Sequence, residues 1–485
     1  MKTLVDSMIG DGALRAPSAA WALTALSLSM LLSSLGVSIA NVGLPTLASA
    51  FDAAFQDVQW IVLAYLLAVT SLIVSVGRLG DLSGRRRLLM AGITLFTLAS
   101  LLCALAPTLW LLIAARAMQG LGAAIMMALT LAFVGETVPK EKTGSAMGLL
   151  GTLSAIGTAL GPSLGGILID SFGWPAIFLI KIPLGILALL LAWRFLPADR
   201  RDSSAERPRF DHLGTLLLTL TLAAYALAMT IGGGRFGPLN LALLLAAGCG
   251  LGLFLLAEAR AASPLVRLAM FRDRQLSAGF VMSALVTTVV MTTLVVGPFY
   301  LSGALALDAA QVGLVMSCGP LVAALTGVPA GRLVDRLGPP RISHLGLGAM
   351  ALGCGALPLL PTASGVPGYI VPLLVITAGY ALFQAANNTA VMGNISAQQR
   401  GVVSGLLNLS RNLGLLTGAA VMGAVFALGA ATTAVTTAQP AAVASGMRIT
   451  FAVAALLVLV ALAIAVVSHA AARPEARLEA GPGQG

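Results

Sequence analysis

Two cationic side chains, Arg116 and Lys181, occur well inside long apolar segments of this sequence. A buried charge is costly, so such a residue normally faces the protein interior or water and has a function. Lys181 could also exchange a proton, because burial disfavours the charged form of a lysine. No aspartate or glutamate occupies the middle of an apolar segment. The residues predict a site for protons or anions, although each cation could instead bond backbone carbonyls and be structural.

Catalytic chemistry has little support in the sequence. The four cysteines lie within apolar runs and the three histidines are scattered, and neither set has the spacing of metal ligands. The chain contains no HExxH or CxxC pattern and no GxxxxGKS or GxxxxGKT nucleotide-binding loop. We therefore expect no enzyme activity, no metal, no cofactor and no direct use of ATP.

The composition indicates a membrane protein. Of the 485 residues, 58% are apolar and only 9% are charged, and the mean hydropathy is +0.97. Soluble domains carry roughly 25% charged residues, so the chain is expected to cross a membrane several times and to contact membrane lipid. The net charge of +10 does not indicate a nucleic-acid partner, because the positive residues follow membrane topology.

Fourteen apolar segments are long enough for membrane spans, each of which needs about 20 residues. They lie near 20–41, 58–77, 88–106, 109–132, 144–168, 175–193, 213–231, 239–257, 276–298, 310–330, 343–361, 369–390, 401–429 and 448–469. Nearly all of the 28 lysines and arginines fall at the termini or in alternate connections, which places both termini in the cytoplasm. The first segment lacks a convincing cleavage site, so a retained span is expected and not a signal peptide.

A short pattern occurs twice, 254 positions apart. Gly77–Gly84 and Gly331–Gly338 both read GRLxDxxG, and both are expected to form loops between long apolar runs. Many secondary transporters consist of two repeats that move around a site near the membrane midplane. The two loops follow the second and tenth spans, so two additional spans must separate two six-helix halves. The predicted units are an N-terminal bundle (1–193), a polar cytoplasmic linker (194–212), two inserted helices with a following loop (213–274), a C-terminal bundle (275–470) and a disordered cytoplasmic tail (471–485).

Three stretches resemble motifs of the major facilitator superfamily. Gly77–Leu89 is similar to its loop between helices two and three, Leu112–Gly122 to its fourth-helix arginine motif, and Gly157–Gly166 to the fifth-helix motif of its antiporters. With fourteen spans, the chain resembles the fourteen-helix drug:proton antiporter family. The resemblance implies an all-α integral membrane fold of two six-helix bundles plus two inserted central helices. It also implies that the proton gradient supplies the energy.

The resemblance further implies roles for motif residues. It gives Arg116 a part in coupling substrate to proton, and it makes the acidic and basic residues of the repeated loop a cytoplasmic gate. The expected gate residues are Gly77, Asp81, Gly84, Arg85 and Arg86, with Asp335 and Arg336 as a weaker counterpart. The basic members would also be explained by membrane topology alone.

Small residues in the fifth span predict close helix packing. Glycines that recur every fourth residue form one stripe, which lets helix backbones approach closely in lipid. A proline within the helix makes it bendable, so we expect this helix at the moving interface between the halves, although ordinary helix packing would give the same pattern. The residues are Gly157, Gly161, Pro162, Gly165 and Gly166.

The chain departs from the family at its first and sixth spans. Gly36 stands where the family usually has an acid, and Lys181 where it usually has an asparagine, roughly 10 Å inside the span. We assign Lys181, with Arg116, to coupling. Because the spans offer cations and no carboxylate, the hypothesis is a preference for anionic, zwitterionic or neutral amphiphiles over quaternary cations. Lys181 could equally extend to the surface or bond a carbonyl without meeting substrate.

Several side chains within the spans are candidates for a pocket with apolar walls and few polar anchors. They are Ser38, Asn41, Tyr65, Met126, Met127, Phe178, Tyr380, Gln384, Asn387, Asn388 and Asn408. Serine and asparagine in spans also commonly bond one helix to another, so each single assignment is open.

The sequence as a whole predicts a secondary active exporter of the bacterial inner membrane. It would exchange a small amphipathic drug or toxic compound for protons by alternating access. A dedicated exporter of one endogenous anionic or zwitterionic metabolite is the alternative. A membrane enzyme or sensor lacks a motif, and the two-half architecture disfavours a channel. Accessory efflux proteins are potential partners in a host with two membranes, and the sequence does not indicate an oligomeric state.

Overall fold

A computed structural model describes residues 16–137, 143–197, 211–231, 237–261, 264, 268–393, 400–431 and 438–479. The described part of the chain is helical, with short turns between helices. This is what apolar segments require in a membrane, because a helix satisfies its own backbone hydrogen bonds. The first half contains α1 (Ala16–Val42), α2 (Leu44–Ala50), α3 (Phe55–Ser83), α4 (Arg85–Ala104), α5 (Leu109–Thr137), α6 (Thr143–Phe172), α7 (Ala176–Leu179) and α8 (Lys181–Phe195).

Two helices, α9 (His212–Thr230) and α10 (Pro238–Arg260), stand between the halves in sequence. A short 3-10 turn, Leu268–Arg272, leads into the second half. The second half contains α11 (Arg274–Gly303), α12 (Ala309–Leu337), α13 (Pro339–Leu359), α14 (Gly365–Gly393), α15 (Arg400–Thr417), α16 (Gly423–Gly429) and α17 (Pro440–Glu479). A 3-10 turn, Thr362–Ser364, precedes α14, and a π-helical turn, Gly418–Met422, joins α15 to α16.

Thirteen helices of the described residues are long and apolar enough to cross a membrane. The predicted fifth span lies in α6, which is 30 residues long, but its described apolar stretch, Ile156–Phe172, is shorter than a span. A multi-pass membrane protein is therefore confirmed, and a fourteenth span remains a prediction.

The two halves have matching internal packing. In the first half α1 packs on α5, α6 and α8, and in the second α11 packs in the same way on α14, α15 and α17. The pairs α3–α5, α4–α5 and α4–α8 correspond likewise to α12–α14, α13–α14 and α13–α17. This correspondence is what two structural repeats produce, and it explains why one motif occurs twice in the sequence.

The repeated pattern is not a loop in either half, which corrects the expectation from sequence. In the first half α3 continues to Ser83 and α4 begins at Arg85, so the connection is Gly84 alone. In the second half Gly338 alone separates α12 from α13. Both glycines have positive φ, 94° and 83°, a conformation that side chains disfavour. The final glycine of GRLxDxxG therefore makes the turn, and the preceding motif residues are helical.

The connections at the two ends of the helices define two faces of the bundle. The arginine-rich face carries residues 84–87 and 338–341, and the arginine-poor face carries residues 51–54 and 304–308.

Three other boundaries differ from those predicted. The sixth span is broken at Ile180, because Pro183 cannot donate to the carbonyl of Leu179. The thirteenth contains the π-helical turn, and α17 continues to Glu479, where alanine, arginine and glutamate favour helix over the predicted disorder.

The inserted helix α9 contacts both halves. Trp60 of α3 donates its indole N–H to Thr230 Oγ1 (3.1 Å), and Ser75 and Thr215 share a hydroxyl hydrogen bond of 2.8 Å. On the other side, Tyr225 donates to Thr417 Oγ1 at the end of α15 (3.3 Å). The helix therefore lies along the edge where α3 and α15 face each other, and α10 lies outside it with most of its leucines exposed.

Replacing Gly122 by alanine should destabilise the first half. An added Cβ there would lie 2.7 Å from the Phe96 nitrogen and 2.8 Å from the Gly92 oxygen, so α4 and α5 would have to separate. Overpacking of this kind typically costs about 1–3 kcal/mol. Gly248→Ala in α10 is the matched control, because an added Cβ there meets nothing within 4 Å. Thermal unfolding in detergent should show a lower Tm for Gly122→Ala only; equal Tm values would contradict the packing described.

Candidate functional site

Arg116 ties four helices of the first half together. It is fully buried on α5, and its Nε donates to the Ile61 carbonyl of α3 (2.8 Å) while Nη1 donates to the Gly36 carbonyl of α1 (3.1 Å). Nη1 also donates to Gln119 Oε1, and Gln119 Nε2 donates to Ser100 Oγ on α4 (2.6 Å). The guanidinium is thus held by neutral oxygens, and no carboxylate of the described residues bonds to it.

Tyr65 completes the surroundings of the arginine. Its ring lies against the guanidinium, 4.3 Å from the carbon to the ring centroid, which is a cation–π contact. Its hydroxyl donates to the Ser33 carbonyl of α1 (2.9 Å). A Cβ at Gly36 would lie 3.0 Å from the Tyr65 oxygen and 3.3 Å from the Phe96 ring. A carboxylate side chain at position 36 would therefore have to displace these aromatic groups.

Lys181 lies at the break in the sixth span and is also fully buried. Its Nζ lies 4.7 Å from the Phe178 ring centroid and 6.0 Å from that of Phe96. Within the described part of the chain, this nitrogen has no hydrogen-bond partner. The side chain therefore does not reach the surface or bond a described carbonyl, which were the two structural alternatives that the sequence left open.

The predicted small residues of α6 lie on two faces of the helix: Gly157, Gly161 and Gly165 pack within the first half, whereas Pro162 and Gly166 meet the second half. A Cβ at Gly157 would lie 2.6 Å from the Leu31 oxygen, and one at Gly165 would lie 2.7 Å from Val42; Gly161 faces Ser38. All three contacts are with α1. The stretch 161–165 also reads GxSxG, but a nucleophile elbow requires a strand-to-helix turn, and this stretch lies inside α6.

The neighbouring face of α6 does meet the second half. A Cβ at Gly166 would lie 3.0 Å from the Gly313 Cα and would collide with the Ala309 carbonyl of α12. A Cβ at Gly313 would in turn collide with the carbonyl of Pro162. We call this backbone contact the glycine contact. It lies toward the arginine-poor ends of α6 and α12 and is made by Pro162 and Gly166, two of the five residues predicted for this interface.

An aromatic cluster closes the same face. Phe55 at the start of α3 lies 4.7 Å from Phe299 of α11 and 5.3 Å from Phe426 of α16, measured between ring centroids, and all three rings are buried. One turn further along α3, Gln59 Nε2 donates to the Ala419 carbonyl in the π-helical turn (3.0 Å). These contacts join the first half to the second.

Toward the arginine-rich face, the described residues show no comparable backbone contact of α12. An added Cβ at Gly327 or Gly331, in the last turns of α12, would meet nothing within 4 Å. Leu321 and Leu325 on the same helix have 56% and 67% of their surface exposed. The close approach of α6 and α12 shown by their glycines is therefore at the arginine-poor end.

The predicted gate is only partly visible. Gly77 and Asp81 belong to α3, but the surroundings of Gly77 and the side chain of Asp81 lie outside the described part of the structure. Arg85 and Arg86 begin α4, and Arg86 Nη2 donates to the Trp193 carbonyl of α8, within the same half. In the second half Asp335 and Arg336 are exposed in the last turn of α12.

The predicted pocket residues are not brought together in one open cavity. Ser38, Asn41, Tyr65, Met126 and Phe178 are buried within the first half, and Met127 is half-buried. In the second half Asn388 Oδ1 accepts from Arg411 (2.7 Å) and Asn387 donates to the Gly279 carbonyl (3.2 Å). Half-buried members of that half are Tyr380, Gln384, Asn388 and Asn408.

A small cleft lies inside the second half and not between the halves. Its lining comes from α11, α13, α14 and α17 and includes Gln275, Ser343 and Asn387. Only Asn387 of the predicted pocket residues borders it. This cleft therefore does not correspond to the central pocket expected from the sequence.

Residues 26–419 match the family model described as Major Facilitator Superfamily. The chain belongs to the Major Facilitator Superfamily. The expectation from the three motifs is thereby confirmed at the level of the superfamily. Its fold and family are those of transporters.

Curated relatives include both drug exporters and a vitamin transporter. The riboflavin transporter RibZ of Clostridioides difficile is 32% identical over 83% of this chain and 87% of its own length. The multidrug resistance protein Stp of Mycobacterium tuberculosis is 32% identical over 84% of this chain and 75% of its own. The drug efflux pump JefA of the same organism is 32% identical over 81% and 78%.

Solved structures of the superfamily share the fold. A bacterial homologue of the human lysosomal transporter Spinster, in an inward-facing conformation, has a TM-score of 0.69 at 15% identity and covers 94% of this chain and 98% of its own. The nucleoside transporter NupG has a TM-score of 0.66 at 13% identity, with 92% and 99% covered.

Several residues of the site were not singled out from the sequence. Gln119 follows Arg116 by three positions, a spacing that places both on one helix face and could have indicated the pair. Gln59 is a polar residue within an apolar span, which is a comparable signal. The aromatic cluster combines three distant segments, and no local pattern in the sequence indicates it.

Gln119→Leu should destabilise the protein, because it leaves both Arg116 Nη1 and Ser100 Oγ without this partner. Breaking buried hydrogen bonds to a charged group typically costs about 1–3 kcal/mol. Gln56→Leu is the matched control: Gln56 is equally buried, and neither of its amide atoms has a partner among the described residues. Denaturation in detergent should show a lower free energy of unfolding for Gln119→Leu and an unchanged one for Gln56→Leu. A larger loss of stability in Gln56→Leu than in Gln119→Leu would contradict the network.

Proposed function

We propose that this protein is a secondary active exporter of the bacterial inner membrane that exchanges small amphipathic compounds for protons. The observation that carries the proposal is the closure of two matched halves at the arginine-poor face, which has no counterpart among the described residues of the other face. Positive loops remain in the cytoplasm, so the arginine-rich face is the cytoplasmic one. The structure then corresponds to an inward-facing state, in which substrate enters from the cytoplasm.

Alternating access follows from the nature of this closure. The glycine contact and the aromatic cluster join separate halves, so they can part when the halves rotate against each other. Because the glycine contact is made by backbone atoms, the helices can pack closely, and few side-chain contacts have to break when the halves separate. Opening this face while closing the other would release the substrate outside.

Relatives named for drug resistance and drug efflux support an exporter with a broad substrate range. The exported compound would be amphipathic because apolar residues dominate the spans. Proton exchange is proposed because the chain has no nucleotide-binding loop and therefore needs an ion gradient.

A dedicated exporter of one anionic or zwitterionic metabolite is the second candidate. It is favoured by the fully buried basic residues Arg116 and Lys181 in a half whose helix interiors contain no acid. The likeness to a riboflavin transporter is compatible with a metabolite as cargo.

Efflux from overexpressing cells distinguishes these candidates. Ethidium and the anionic dye carboxyfluorescein would be loaded, and their loss followed with and without a protonophore. A multidrug exporter should expel ethidium at a rate that falls to that of empty-vector cells when the protonophore is added. Export of carboxyfluorescein alone would favour the metabolite exporter. Dye export that the protonophore leaves unchanged would contradict proton exchange.

A further inference from the structure

We propose that Lys181 is the residue that takes up and releases the proton exchanged by this transporter. The inference rests on the proposed proton exchange and deepens it by naming the carrier. It is carried by a fully buried amino group that has no hydrogen-bond partner among the described residues, and by the charged group found beside it, which is Arg116 and not an acid.

The position of Lys181 makes a permanent charge unfavourable. The nitrogen is removed from solvent and faces the rings of Phe178 and Phe96, and no described oxygen accepts a hydrogen bond from it. A buried ammonium group without a hydrogen-bond acceptor is destabilised by the loss of its water shell, so it normally releases its proton. The conformation described here therefore suits the neutral amine.

The one permanent charge found near Lys181 in the described part of the chain favours the same form. Arg116 and Cys103 are the ionisable groups near enough to act on Lys181 electrostatically. The arginine repels an ammonium, and α1 contributes no ionisable residue at all. From α3 comes Tyr65, which donates to a carbonyl and contacts the arginine, and α6 has Asp170 only at its exposed end.

No alternative carrier with a carboxylate is available inside the spans. The acids of the chain all lie outside the middle of the apolar segments. Arginine stays protonated under physiological conditions, so Arg116 cannot release a proton in the cycle. Lysine is the cation that exchanges protons readily when its burial changes.

The location of Lys181 gives a route for the proton. Lys181 follows Trp174, at the arginine-poor end, by seven residues, which is about 10 Å along a helix. The chain is broken beside it at Ile180, so the segment can shift locally. When the arginine-poor face opens, water can reach the amine, whose nitrogen lone pair accepts one proton from outside. While that face closes and the cytoplasmic side opens, the ammonium loses its outer hydration and gives its proton to a water molecule from the cytoplasmic cavity; the neutral amine is then left fully buried, as in the state described here.

Spin-label distances test this assignment without any substrate. Cysteines introduced at Phe172 and Thr362, both exposed at the arginine-poor face of opposite halves, would carry the labels in lipid nanodiscs. Cys249 and Cys318 would be replaced by alanine, while the buried Cys103 and Cys354 would stay. As pH falls from 9 to 5, the wild-type protein should gain a long-distance, open population.

Variants of Lys181 show whether this residue or another titrating group causes the pH response. Lys181→Met should remain in the short-distance form at every pH, and Lys181→Arg should hold the open population at every pH. Lys181→Gln repeats the first result if the methionine variant fails to fold. Arg194→Met, which removes an exposed cation from the same helix, should titrate like wild type.

Three results would overturn the proposal: no pH response in the wild-type protein, an unchanged response in Lys181→Met and Lys181→Gln, or a response that follows chloride concentration at constant pH. The last would make Lys181 an anion-binding residue. Dye efflux that ignores the protonophore would overturn the proposed exchange itself, whereas an unchanged titration in the Lys181 variants would overturn only the choice of carrier.

Discussion

Gly166 of α6 and Gly313 of α12 meet without side chains between them, and this contact sets how closely the two halves approach at the arginine-poor face. The nearby aromatic cluster and the Gln59–Ala419 hydrogen bond can form only when the helices are that close. An added Cβ at Gly331, about five turns further along the same face of α12, meets no described atom within 4 Å, so backbone contact of this kind is found at the arginine-poor end of the helix.

The first half can move as one body because its interior is bonded across helices. Arg116 reaches carbonyls of α1 and α3 and is linked through Gln119 to α4. Breaking the hydrogen bonds of a buried arginine is costly, since each lost bond leaves a further polar group unpaired beside Arg116 Nη2, which already has no partner among the described residues. The second half has a smaller counterpart in Arg411 and Asn388. The inserted helix α9 bonds to both α3 and α15 and so lies where relative motion of the halves must be accommodated.

Composition and periodicity predicted the fold well, because each span corresponds to one continuous run of apolar residues that forms its own helical hydrogen bonds. The repeated GRLxDxxG pattern correctly indicated two related halves, but its residues proved helical, since a single glycine with positive φ suffices for the turn. The stripe of Gly157, Gly161 and Gly165 correctly indicated close packing. Its partner, α1, could not be predicted, because a stripe specifies a helix face and not the helix that covers it.

The site was predictable where a single residue was anomalous for its surroundings. Arg116 and Lys181 stood out as cations in apolar segments, and both are buried in the first half. The partners of Arg116 could not be predicted in the same way, because most are backbone carbonyls and every residue has one. The grouping of Phe55, Phe299 and Phe426 depends on how the two halves meet, which is a property of the tertiary structure alone.

The most direct test of this account is the distance between spin labels at positions 172 and 362 in Gly313→Leu. A leucine side chain at the glycine contact would collide with α6, so the short-distance population should disappear and efflux with it. Gly327→Leu, on the same helix where an added Cβ meets nothing described within 4 Å, should keep both the short-distance population and efflux. A short-distance population that survives in Gly313→Leu would contradict the claim that this contact is where the halves close.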